Sequence, residues 1–103
     1  MLVVTNTIKV KEGAGAALAG RFTGNGGVQT MPGFVRLEVW HGAPKDGAEE
    51  LKICTVWENE EAFKGWTSSE AFRQSHRGAG KNDDILGASL DKYELLARIS
   101  PGE

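Results

Sequence analysis

The chain has 103 residues, 40% of them apolar, with twelve basic and fourteen acidic side chains and a formal charge of -2. That length holds one small core, expected here as a single domain over 1–103, and the apolar share excludes a disordered or fibrous chain. The near-balanced charge, without a dense Lys/Arg cluster, argues against a nucleic-acid binder.

The opening MLVVTNTIKV lacks the charged start and the apolar length of a signal peptide, and no window reaches the ~18 apolar residues of a membrane span. A lone cysteine, Cys54, has no partner for an internal disulfide, so a reducing cytoplasm is the expected location. Cys54 itself sits in an apolar strand pattern and reads as a core thiol.

In chain order, residues 2–10 are rich in β-branched types and predict a strand. Residues 14–23, AGAALAGRFT, space Leu18, Arg21 and Phe22 as a helix does. Gly15 and Gly20 each weaken that helix by up to about 1 kcal/mol, so it must lean on tertiary contacts. Gly24, Gly26 and Gly27 make a loose connection to a turn at Met31-Pro32-Gly33. A second strand is predicted over 34–41, with Val35, Leu37 and Val39 on one side and Phe34 and Trp40 on the other. GAPKDG reads as a hairpin loop, and 49–57 as the third strand.

Asn59 is placed to cap a helix that opens with Glu60 and Glu61 and runs through Phe63 and Trp66. Thr67-x-x-Glu70 then matches a capping box, so a second helix is expected to restart over 70–77 at a new angle. A polar loop over 78–87 and a last strand over 88–99 finish the chain.

The order β-α-β-β-α-β predicts an α+β, ferredoxin-like split βαβ fold: a four-stranded antiparallel sheet with the helices on one face. The other sheet face would also carry apolar residues, and pairing two sheets in a homodimer would cover it.

Three residues invite a role in chemistry. Asn6 is the polar member of the row Leu2, Val4, Asn6, Ile8, Val10; a buried carboxamide left unpaired costs on the order of 1–3 kcal/mol. It is either tied to a loop backbone or aimed into a pocket. Trp66 is core or site. His76 shares a helix face with Phe72 by i,i+4 spacing and is a core residue or a ligand. On one continuous helix Trp66 and His76 would lie about 80° apart; the break at 67–70 lets them face the same slot. His41 is expected at a solvated turn. No metal cluster, Ser/His/Asp spacing or phosphate loop is visible, so any reactivity would come from a cofactor or the substrate itself.

Together VTNTIKV, EELKICTVWENEEAFKGW and SSEAFRQSH, with 21-RF-22 and the late GASLDKYELL, resemble the IsdG-type haem-degrading monooxygenases of the antibiotic-biosynthesis-monooxygenase superfamily. The resemblance covers nearly the whole chain. It implies a dimeric β-barrel of two ferredoxin-like chains, each with its own pocket between sheet and helices. Haem would be both substrate and cofactor, opened with dioxygen and an external electron donor to release iron. His76 would be the axial ligand to haem iron, and Asn6 would hydrogen-bond to the oxygen species or the attacked ring edge. Trp66 would press on the porphyrin face and ruffle it. Phe22, Phe63, Phe72 and Trp66 are available to line the slot, and Arg21 or Lys81 to meet a propionate. Two other readings stay open: a cofactor-independent quinol-type monooxygenase of the same superfamily, and a haem-binding or transfer protein without chemistry.

Overall fold

The β-branched opening does form a strand, β1 (Leu2–Lys11), and everything else is arranged around it. In the computed structural model, which describes residues 1–22, 27–75 and 84–102, β1 is followed by α1 (Gly15–Phe22) and a 3-10 turn at Val28–Thr30. Then come β2 (Phe34–His41), β3 (Ala48–Trp57), α2 (Glu60–Thr67), α3 (Glu70–Ser75) and β4 (Ile85–Glu94). The strands lie in the order β2-β3-β1-β4, and every neighbouring pair is antiparallel. This is the ferredoxin-like arrangement expected from the element order. The sheet of one chain is open, with β2 and β4 as its edges, so the implied barrel does not close within a single chain.

Both helical layers pack on one sheet face. Leu18 of α1 is buried with Ile8, Val10, Leu51 and Ile53, while Trp66 of α2 is buried with Val4, Val28 and Trp57. Period two along β1 puts Val4, Ile8 and Val10 on that same face. Each fully buried side chain of this kind contributes roughly 1.5–3 kcal/mol of transfer free energy, and these two clusters hold the helices to the sheet.

Three expectations are corrected. The last strand runs Ile85–Glu94, not 88–99, because β4 continues only while β1 offers rungs. Leu2 pairs with Glu94, and a final bond runs from the Leu95 amide to the Met1 carbonyl at 3.0 Å. Beyond it Leu96 and Ile99, whose apolar character suggested strand, are 87% and 88% exposed.

Second, the β2 register shifts between Phe34 and Arg36, which sets Phe34 opposite Trp57. Phe34 therefore joins Leu37 on the helix side, its ring edge-on to Trp57 at 5.5 Å, and the opposite face of β2 carries Arg36, Glu38 and Trp40. There Arg36 pairs with Glu38 at 3.0 Å, and the Trp40 indole donates to Glu38 Oε1 at 2.9 Å.

Third, the capping box is not formed. α2 runs through Thr67, so that residue is helical and its hydroxyl donates back to the Lys64 carbonyl at 3.2 Å. The cap of α3 is Ser69, directly before Glu70, whose Oγ accepts from the Phe72 amide at 3.1 Å. The break between the two helices stands as expected, as does the cap on α2: Asn59 Oδ1 accepts from the Ala62 amide at 2.9 Å. Gly33 is required where it is, since its φ is 80° and a methyl group there would lie 2.5 Å from Ala62 Cβ.

Candidate active site

The helix-facing row of β1 is buried at Val4, Ile8 and Val10 but only partly buried at Asn6 between them. Asn6 lies opposite Ile53 on β3 and opposite Leu90 on β4. α1 covers the Ile8–Val10 end of the row and α2 the Val4 end. Between those footprints Leu90 remains 54% exposed, so the middle of the β1–β4 strip forms an apolar floor that the described helices leave accessible. Among the described residues nothing donates to or accepts from the Asn6 carboxamide. The tie to a loop backbone is therefore not made by the described residues, and the period of β1 turns the amide to the helix side of the sheet.

The wall beside this floor is aromatic. Trp66, 8% exposed, meets Phe72 edge to face, with centroids 5.5 Å apart and planes at 87°. One turn earlier in α2, Phe63 meets Trp57 at 5.9 Å. Lys92 of β4 lies over the other side of this corner, its Nζ 5.3 Å from the Phe63 centroid and 2.9 Å from Glu60 Oε1. Val4, which packs with Trp66, is two residues from Asn6 on the same face, a step of about 7 Å. The structure thus groups Trp66, Phe63 and Phe72 over the Val4 end of the sheet's helix face, with Asn6 one same-face step further along β1.

The other sequence candidates are not placed. His76 and Lys81 lie outside the described residues. Arg21 and Phe22 end α1, but their side chains also lie outside what is described. Conversely, Leu90 and Lys92 escaped the sequence reading. Their alternation in GASLDKYE marks one strand face, but only the register Asn6↔Leu90 and Val4↔Lys92 says which face it is.

A second missed feature anchors α1. Glu49, only 4% exposed, accepts from the Gly15 amide at 2.5 Å and lies 3.2 Å from His41 Nε2. His41 is thus solvent-exposed, as expected, but ends β2 and is paired with Glu49. Burial raises the Glu49 pKa, but the Gly15 amide, the His41 imidazole and the Gly13 amide together hold it below the ordinary carboxylate value. The folded state therefore favours the carboxylate. Its contribution is complete above the unfolded value of about 4.3 and is lost as pH falls through the depressed folded value. Glu49→Gln is expected to lower Tm by several degrees at neutral pH and to flatten the acid side of the Tm profile. Parallel Tm–pH profiles for the two proteins would refute this role.

Comparison with known proteins gives this geometry a context. The family model for antibiotic biosynthesis monooxygenase matches residues 1–78. The chain is 40% identical over 104 residues to a staphylobilin-producing heme oxygenase of Staphylococcus haemolyticus, covering 97% of this chain and all 100% of that one. It is 42% identical over 97 residues to a heme-degrading monooxygenase of Bacillus thuringiensis, covering 92% and 90% of the two chains. Among solved structures, the heme-degrader MhuD of Mycobacterium tuberculosis, with two hemes bound in its active site, superposes with a TM-score of 0.73. It is 33% identical, over 97% of this chain and 100% of that one. The chain belongs to the antibiotic biosynthesis monooxygenase family, on the branch of the IsdG-type haem-degrading enzymes.

Proposed function

We propose that this chain degrades haem: it takes the porphyrin between the β1–β4 strip and α2–α3, opens the ring with dioxygen and an external reductant, and releases iron. The observation that carries the reading is the Asn6 carboxamide, partly buried and without a partner among the described residues, beside the exposed Leu90 in the apolar middle of the strip. A flat apolar substrate needs such a floor, and one fixed amide on a rigid inner strand suits a hydrogen bond made to the substrate.

Haem is the substrate and brings the oxygen chemistry with its iron; the chain's part is to hold and orient it. His76, following directly on α3, is the axial ligand through its neutral imidazole. Trp66, with Phe63, Phe72 and Phe22, forms the apolar wall against the porphyrin face, and Arg21 neutralises a propionate. Asn6 donates its amide at the ring edge to be attacked.

The working unit is a homodimer in which each chain has its own site. Trp40 and Tyr93, 49% and 53% exposed, lie on the sheet face without helices, and Leu96 and Ile99 extend beyond it. A second sheet would cover this surface.

Adding haemin tests the function. A stoichiometric Soret band is expected, and its loss with ascorbate in air, catalase present, with release of iron. No Soret band would favour a quinol-type oxygenase, and a band stable to reductant would favour a haem carrier; either defeats the proposal.

A further inference from the structure

The helix-facing side of β4 reads Ala88, Leu90, Lys92, so the apolar floor beside Asn6 runs directly into a cation. Among the described residues of β1 and β4 on that face, Lys92 alone is cationic, since Lys9 pairs across the other face with Glu50 and Gly87. Its ammonium lies over the Phe63 ring, 5.3 Å from the centroid. A flat ligand lying on Leu90 and against Phe63 would therefore bring its rim to Lys92 Nζ.

The present partner of Lys92 is replaceable. Glu60 and Lys92 pair at 2.9 Å with side chains 52% and 41% exposed, a geometry in which solvent screens most of the attraction. Glu60 also stands in the first turn of α2, where the helix dipole favours a carboxylate with or without the lysine. Lys64 lies near enough to add to the lowering of the Glu60 pKa that Lys92 dominates. Glu60 would keep these two stabilising influences once Lys92 had left.

We propose that Lys92 is a substrate-positioning residue that exchanges Glu60 for a propionate carboxylate at the rim of the bound porphyrin. This rests on the haem reading above and adds to it the group that fixes the disc's rotation in the slot. Glu60 acts as a place-holder: it keeps the ammonium over Phe63 while the slot is empty and competes with the propionate when it fills.

The test compares gallium protoporphyrin IX with its dimethyl ester, neither of which turns over, by fluorescence titration of wild type, Lys92→Met, Glu60→Gln and the double variant. Lys92→Met is expected to weaken the diacid about tenfold while leaving the ester within about twofold, the pattern of a lost charge-assisted pair. Glu60→Gln should tighten the diacid about two- to threefold, and only while Lys92 is present, because the competing carboxylate is gone. Equal weakening of both ligands by Lys92→Met, or weaker diacid binding in Glu60→Gln, would make the pair a structural brace and overturn the proposal. Wild type binding neither porphyrin would instead remove the haem reading, and this proposal with it. Both side chains are half-exposed, so the variants should fold, and melting curves check that they do.

Discussion

Asn6→Ala is expected to keep haem and lose most of its degradation. Binding should stay within about threefold of wild type while single-turnover ring opening falls on the order of a hundredfold, the usual loss for one preorganised hydrogen-bond donor. The structure explains why binding survives. β1 is an inner strand, paired on both sides, and Val4 and Ile8 on either side of Asn6 remain buried. It also makes a stability forecast that separates a substrate-directed amide from a structural one. A carboxamide tied to the fold would cost about 1–3 kcal/mol when removed, by orphaning its partner. Asn6 has no partner among the described residues, so Asn6→Ala should melt at the wild-type temperature. A variant that melts much lower, or that degrades haem at the wild-type rate, would contradict the assignment.

His76→Ala is expected to do more: it should abolish turnover and weaken haem itself. Changing a residue that merely supports a metal ligand lowers affinity about 10–100-fold, so removing the ligand should reach or exceed the upper end. The remaining complex should lose the spectrum of histidine-bound iron, and added imidazole should partly restore it. Unlike Asn6, His76 follows in sequence on a short helix, whose first turn is capped by Ser69 and whose Phe72 meets Trp66 edge to face. The aromatic contact and the cap hold α3 against the end of α2. A His76→Ala protein with an unchanged haem spectrum would place the iron ligand elsewhere.

Much of this was legible in the sequence because it follows from local chemistry. The alternation in LVVTNTIKV marked Asn6 as out of place in an apolar row, and the Asn59 cap with Glu60 and Glu61 fixed the start of α2 to the residue. What failed depends on pairing between distant segments. Phe34 changed sides because of a register shift against β3, which no pattern within FVRLEVWH reveals. β4 stopped at Glu94 because β1 starts at Leu2, a limit set by a strand more than eighty residues away. Thr67 lost the cap to Ser69 because α2 ran one residue past Trp66, and a residue inside a helix cannot also cap the next.

The candidate site divides the same way. Residue types picked out Asn6, Trp66 and the phenylalanines, but Leu90 and Lys92 became visible only when register put them beside Asn6 and Val4. Glu49 was missed for a related reason. Nothing within EELKICTVW marks its side chain as an anchor, yet it is buried where the Gly15 amide at the start of α1 donates to it. Acidic residues at strand ends that face a helix N-terminus are worth testing as anchors.

The most direct measurement is a crystal structure of the chain with a non-reactive metalloporphyrin in the site. The disc should lie on the β1–β4 strip with His76 bound to the metal, Asn6 within hydrogen-bonding distance of the ligand, and Trp66 against the ring. A porphyrin seated on the helix-free sheet face, or bound to the metal through another residue, would contradict the account.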